Sequence, residues 1–152
     1  MGNSIVKGLA LAAFTFAVGA CTEPVSAPPG STSTAARRVF FVQPKNGATI
    51  KPMSTFEFDS SGVTVAAVPP GNLTPDQVRP GMIHYHIGVD TDCLPAGTII
   101  PKADPWIHFG DGKNQIEMSL KPGPHKLAVQ AGDDMHRTIE GLCEVISVTV
   151  AE

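Results

Sequence analysis

The sequence predicts an all-β fold, an immunoglobulin-like antiparallel β-sandwich of seven to eight short strands. Short segments of alternating apolar and polar residues run along the chain, and Gly and Pro separate them. Turn signals recur about every eight to twelve residues, which is the spacing typical of β-sandwiches. No long amphipathic helix and no internal repeat interrupts this pattern.

Each predicted strand is a short run bounded by turn residues. The predicted strands are VFFV (39–42), TFEFD (55–59), VTVAAV (63–68), MIHYHIGVD (82–90), WIHF (106–109), QIEMSL (115–120), PGPHKLAVQA (122–131) and EVISVTV (144–150). GDGKN after WIHF predicts a β-hairpin, and TPDQ predicts one helical turn. PKNGATI and KPGPHKLAVQAGD are similar to segments of bacterial immunoglobulin-like domains, in which Pro-Gly introduces a core strand.

The N-terminal residues have the pattern of an export signal. Lys7 precedes the apolar run LALAAFTFAV, which is shorter than the roughly twenty residues that a spanning helix needs. Small residues then lead to Cys21, so residues 1–20 are predicted to be a signal peptide. Val18-Gly19-Ala20-Cys21 resembles the lipobox of bacterial lipoproteins, in which the cysteine is lipidated; an ordinary signal peptide is the alternative.

A linker and one domain follow. Residues 21–36, rich in Pro, Ser and Thr, are predicted to be a flexible tether that begins at the lipidated Cys21. Residues 37–152 have the size of one sandwich domain. We therefore expect an exported lipoprotein, anchored to the membrane and facing the periplasm or cell exterior.

The cysteine count suits an oxidising compartment. Of three cysteines, Cys93 and Cys143 remain after Cys21 is set aside. An even pair in an exported protein favours a disulfide, and two free thiols or thiolate metal ligands are the alternatives.

Charge limits the partners. The chain carries a formal charge of −3, and removal of residues 1–20 takes away Lys7 and no acid, which leaves −3 − 1 = −4. There is no cluster of Lys and Arg, so nucleic acid is not expected and the lipid anchor is the only expected contact with the membrane. A protein partner is not defined by the sequence.

The five histidines are sorted by strand alternation. Alternate side chains on a strand point to opposite faces. His84 and His86 therefore lie opposite the apolar face of their strand, and His108 lies opposite the apolar face of its own. His125 shares the face of Leu127 and is expected to be a structural, hydrogen-bonded residue at the rim of the core.

His84, His86, His108 and the loop residue His136 are the candidate metal ligands. Imidazoles two residues apart on a strand are close enough to bind one ion, and a histidine from an adjacent strand adds a third ligand. Imidazole donors favour zinc or copper, and Met82 and Met135, each near a histidine, favour copper slightly. The alternative is a solvated surface patch of hydrogen-bonded histidines. Calcium is not expected, because no segment follows the calcium-loop pattern.

The segments HYHIGVDTDCLPAG, IPKADPWIHFGDGKNQIEMSL, KPGPHKLAVQAGDDMH and EVISVTV resemble a bacterial envelope family catalogued as domain of unknown function 4399. The family pattern has a run of three histidines, then His-x-His-Phe-Gly, Pro-Gly-x-His-x-Leu and Gly-Asp-x-x-His. The resemblance places His84 and His86 first and third in the run, and it also matches His108, His125 and His136. Tyr85 and Trp106 stand where the family pattern has histidines.

These features bear on three possible functions. The expected one is a lipid-anchored extracytoplasmic binding module, which holds a transition-metal ion or a small ligand through the histidines. The alternative is a structural or protein-interaction domain of the cell envelope without metal. An enzyme is not expected, because the sequence has no nucleophile elbow, phosphate loop or HExxH helix.

Overall fold

The computed structural model describes residue 2 and residues 36–152. The predicted signal peptide apart from residue 2, the predicted lipidation of Cys21, and the predicted linker apart from its last residue lie outside this part of the chain. No helix among the described residues has the length and apolar character that a membrane crossing requires.

Nine strands build the described part of the chain. They are β1 (Arg38–Gln43), β2 (Thr49–Ile50), β3 (Met53–Ser61), β4 (Thr64–Val65), β5 (Met82–Val89), β6 (Trp106–Phe109), β7 (Gln115–Ser119), β8 (Gly123–Gly132) and β9 (Thr138–Val150). One turn of 3₁₀ helix at Pro75–Gln77 corresponds to the predicted TPDQ turn. The count exceeds the predicted seven to eight because the two-residue strand β2 was not predicted.

The strands form two sheets. The smaller has the order β1-β3-β7; the larger has the order β2-β9-β8-β5, with β4 and β6 both paired to the far edge of β5. All pairings are antiparallel except the short β2–β9 and β4–β5 contacts. The predicted all-β sandwich is therefore confirmed.

The core lies between the sheets, and strand alternation defines it. Phe56 and Phe58 of the smaller sheet are fully buried, as are Tyr85 and Ile87 of β5 and Leu127 of β8. Aromatic rings join the two layers, since the Phe58 and Tyr85 centroids lie 5.0 Å apart. Aromatic residues that bury this much surface contribute most of the stabilisation in such cores.

Two local predictions are wrong. GDGKN does not close a hairpin, because β6 pairs with β5 in the larger sheet while β7 pairs with β3 in the smaller. The turn itself forms, with Gly112 at φ 77° and the Asp111 carboxylate accepting the Lys113 amide, but it crosses between sheets. Turn chemistry specifies a change of direction, not the partner strand. The predicted strand 63–68 is also shorter, since only Thr64–Val65 pair with β5.

The outer face of the larger sheet is also covered. Ile100, Trp106 and Ala128 form a second, smaller apolar cluster there. A disulfide between Cys93 and Cys143 joins the segment after β5 to β9, and the Gln130 side chain hydrogen-bonds both the amide and the carbonyl of Leu94. This cover buries one half of the outer face, and the other half carries the histidines.

Candidate metal centre

Three imidazoles lie on adjacent strands of the larger sheet. β5 runs between β6 and β8, and His86 is paired with His108 on one side and with Gln130 on the other. His84, two residues earlier on β5, lies opposite Gly132. All three side chains point away from the core, as strand alternation predicts.

The loop between β8 and β9 supplies a fourth imidazole. The Asp133 carboxylate accepts the amides of Met135 and Arg137, and the Asp133 carbonyl accepts the amide of His136. This tight turn holds His136 at φ 63°, in the left-handed region, which is sparsely populated for residues with a Cβ. The His136 carbonyl in turn accepts the Ile100 amide, so both sides of the loop are fixed.

The four rings converge on one point. All six distances between their centroids fall from 4.6 to 5.6 Å. One ring nitrogen from each of His84, His86, His108 and His136 lies within 4.8 Å of the others. The Nε2 atoms of His108 and His136 are 2.9 Å apart. Strand pairing and one tight turn thus assemble four nitrogen donors.

Burial distinguishes this cluster from a solvated patch. His84 is 1%, His86 0% and His136 8% exposed. Within residues 36–152, four buried side-chain polar atoms have no hydrogen-bond partner: His84 Nε2, both ring nitrogens of His86, and the Tyr85 hydroxyl on the opposite face. An unpartnered buried polar atom costs about 1–3 kcal/mol. The surface patch expected as an alternative is therefore not what this chain builds.

The cluster is electrically neutral near pH 7. Burial, and then the neighbouring imidazoles, lower the pKa of His84 to about 3 and that of His86 to about 2. Burial and the Lys102 ammonium lower the pKa of His136 to about 4 and also lower that of His108. Neutral imidazole is the form that binds metal, so the ligands are already in the required state.

A salt bridge closes the site on one side. Asp134 accepts hydrogen bonds from the amide, Nε and Nη2 of Arg79, and the same Nη2 donates to the Ala67 carbonyl. These bonds tie the His136 loop to the segment that follows β4. The Arg79 guanidinium holds the pKa of Asp134 below its ordinary value. Asp134 therefore fixes the loop that positions His136.

Two glycines leave room for the rings. A Cβ on Gly110 would collide with the His108 ring and lie 2.6 Å from its Nε2. A Cβ on Gly132 would lie 3.0 Å from Cε1 of His86 and 3.2 Å from Cα of His136. Both contacts are closer than side chains normally tolerate, so the imidazoles keep their positions only if residues 110 and 132 have no side chain.

Gly132→Ala is expected to lower the affinity for a bound metal ion by about 10- to 100-fold, the range found when groups that orient ligands are changed. The added methyl displaces His86 and His136 from their common point. Gly88→Ala is the matched control, because its Cβ meets Thr91 and Trp106 in the apolar half of the same face. Metal titration should show the loss at position 132 only; equal affinities would contradict this role.

The structure brings together all four candidate ligands. His125 stands apart: its Nδ1 lies 2.9 Å from the Asp90 carboxylate and its Nε2 2.8 Å from the Lys121 carbonyl, which fits the structural role expected for it. The sequence did not identify Arg79, Gly132 and Lys102 as neighbours of the site. Each comes near the histidines only in the folded chain, and strand alternation does not predict which distant segments meet. Of these three residues, only Gly132 had a feature visible in the sequence, because it ends β8 directly before the Asp133 turn.

The donor set fits a tetrahedral ion. Metal–nitrogen bonds of about 2.0–2.1 Å place the ligand nitrogens of such a site about 3.3 Å apart. The observed separations extend from 2.9 Å between two Nε2 atoms to a maximum of 4.8 Å. The required spacing lies between these two separations.

The chain is therefore an immunoglobulin-like β-sandwich with four buried, converging histidines on the outer face of its larger sheet. It belongs to the family described as domain of unknown function DUF4399, whose model matches residues 57–151. Neither departure from the family pattern removes a member of the cluster. Tyr85 points into the core, and Trp106 packs in the second apolar cluster.

Other comparisons add little. No curated protein matched the chain. A solved structure from Clostridium thermocellum, of the CbhA fibronectin(III)-like modules, matches with 14% identity and a TM-score of 0.44, over 74% of this chain and 96% of the other.

Proposed function

We propose that this protein is an extracytoplasmic metal-binding module that holds one copper or zinc ion through His84, His86, His108 and His136. The observation that carries the proposal is the convergence of buried ring nitrogens, three of which lack any hydrogen-bond partner in the described residues. The proposal includes a lipid anchor at Cys21, and a role in binding rather than in catalysis.

Metal binding accounts for an arrangement that costs stability otherwise. Buried imidazoles normally satisfy both nitrogens, one as donor and one as acceptor. His86 satisfies neither. A bound ion would accept one lone pair from each ring, so it would satisfy one of the two nitrogens of His86 and offset that part of the penalty.

The donor type selects the metal. Imidazole suits zinc and copper, whereas calcium and magnesium require oxygen ligands. Among divalent first-row ions, Cu²⁺ binds a nitrogen site most tightly. The thioether of Met135 belongs to a side chain that lines the cleft beside His108 and His136, and such soft donors favour copper.

Equilibrium dialysis against Zn(II) and Cu(II) tests the proposal. The protein, purified without a histidine-rich tag, should bind about one equivalent of at least one of these ions. The double variant His84→Ala/His86→Ala should lose at least about 100-fold in affinity, because removal of ligands exceeds the effect of changes around them. His125→Ala, a histidine outside the cluster, should bind as wild type does. Equal binding by the double variant and wild type ends the proposal.

His86→Leu is expected to raise the stability of the metal-free protein by about 1–3 kcal/mol while it weakens metal binding. Leucine removes two unsatisfied nitrogens from a fully buried position and leaves an apolar side chain of similar bulk. Denaturation in urea with a chelator measures the first effect, and metal titration of the same variant measures the second. A histidine retained for packing alone would show the opposite, a loss of stability on substitution.

A further inference from the structure

A cleft of about 430 Å³ opens beside the histidine cluster. His108 and His136 are part of its lining, and His84 and His86 are not. Val68, Pro69 and residues 71–73 form one wall, and Lys102 also belongs to the lining. An ion held by the four imidazoles would therefore face this cleft beside His108 and His136.

The cleft carries positive charge. Lys102 takes part in none of the ion pairs found among the described residues. Asp134 is the single acidic residue of the lining, and its two oxygens are occupied by Arg79. Lys102 lines the same cleft as His108 and His136, so its ammonium would repel a metal cation held by the histidines.

The charge of the metal centre is also unbalanced. Four neutral imidazoles leave a divalent ion with its full 2+ charge, and no carboxylate belongs to the ligand group. Ions in largely buried sites are stable when opposite charge lies beside them. A second cation, Lys102, makes the imbalance larger. An anion between the ion and the ammonium would remove both penalties.

We infer that the cleft binds a small carboxylate, which contacts the metal ion as a fifth ligand, in addition to the four imidazoles, and also contacts the ammonium of Lys102. This inference rests on the proposed function. One ammonium matches one negative charge, and the apolar side chains of Val68, Pro69 and Leu73 in the lining suit a short carbon chain better than a multiply charged phosphate. The amide of Asn72, in the same wall, offers a hydrogen bond.

Linkage between the two ligands provides the test. If the carboxylate contacts the ion, acetate must raise the affinity for the ion by the same factor as the ion raises the affinity for acetate. In wild type, we expect acetate to raise the affinity for whichever of Cu(II) or Zn(II) binds by about tenfold, within the usual range of such coupling. Affinities are measured by chelator competition, with correction for acetate bound to free metal.

Lys102→Met separates electrostatic from structural effects. Without acetate, this variant should bind the ion at least as tightly as wild type, because a repelling charge is gone; with acetate it should gain less than twofold. Lys102→Arg should restore the coupling, and Lys45→Met, at an exposed lysine outside the cleft lining, should behave as wild type.

The outcomes are distinguishable. Metal binding that acetate does not enhance in wild type, or enhances equally in Lys102→Met, overturns the inference and leaves the proposed function standing. Stronger coupling with inorganic phosphate than with acetate also overturns the carboxylate assignment. Absence of metal binding in every buffer refutes the proposed function, and the inference fails with it.

Discussion

Lowering the pH from about 7.5 to about 5.5 should reduce the free energy of unfolding of the metal-free protein by about 4 kcal/mol. The cause is the set of neutral histidines that the fold buries. In the folded state the pKa of His84 is about 3, that of His86 about 2 and that of His136 about 4. In the unfolded chain each returns to about 6.5.

The sign of this change in the free energy of unfolding follows from which state, folded or unfolded, takes up protons. Above pH 6.5 these three histidines are neutral in both states, and their contribution to stability is fully present. Below pH 6.5 the unfolded chain binds protons that the folded chain does not, so stability is lost down to the folded pKa values. One pH unit below 6.5 costs about 1.4 kcal/mol for each group. For a domain whose total stability is about 5–15 kcal/mol, this loss is large.

Urea denaturation at the two pH values, with a chelator present, measures the effect. His125→Gln is the matched control. Its hydrogen bonds to Lys121 and Asp90 raise the pKa of His125 despite partial burial, so its stabilisation is present below pH 6.5 and is lost as the pH rises through the folded pKa. The control should therefore keep the loss of stability in acid. His86→Leu should reduce it, and an unchanged slope in that variant would refute the electrostatic explanation.

Bound metal should oppose the same transition. An ion that binds only the folded state stabilises it by RT ln(1 + [L]/Kd), which is about 2.7 kcal/mol at one hundred times Kd. Because the imidazoles in the fold accept protons only at low pH, the ion competes with few protons until well below pH 6. The stabilisation by metal should therefore be about the same at about pH 7.5 and about pH 5.5, and it should offset part of the stability that the metal-free form loses in acid.

Strand alternation was sufficient to predict the core and the faces of three of the clustered histidines. Ile83, Tyr85 and Ile87 point into the sandwich, and His84 and His86 point out, because a residue period of two leaves no other arrangement. The presence of His136 beside them was a hypothesis from sequence, since a loop has no such period.

Burial of the histidines could not be predicted from the same pattern. The face opposite a core is usually solvated in an antiparallel sheet. Here the half that carries the histidines is closed by the His136 loop, which is held by the hydrogen bond from the Ile100 amide and by the contact between Arg79 and Asp134. These contacts join parts of the chain distant in sequence, and alternation within a strand carries no information about them. The incorrect prediction of a hairpin at GDGKN has the same cause, because the partners of β6 and β7 are distant in sequence.

Removal of the disulfide by Cys93→Ala/Cys143→Ala should lower the free energy of unfolding by about 4 kcal/mol. The two cysteines are 50 residues apart, and a cross-link that closes a loop of this size restricts the unfolded chain by about that amount in the chain-entropy model. Urea denaturation at about pH 7.5 with chelator measures the loss as a lower midpoint. A midpoint within error of wild type would contradict the prediction.

The metal site should survive this change. The bridge anchors the segment that carries Leu94 and Ile100, but the ligands are placed by pairing of β5 with β6 and β8 and by the Asp133 turn. Metal affinity of the double cysteine variant should therefore remain within about tenfold of wild type, the lower end of the effect of changes around ligands. A loss as large as that of the double histidine variant would mean that the disulfide-linked cover, and not the sheet, holds the imidazoles together.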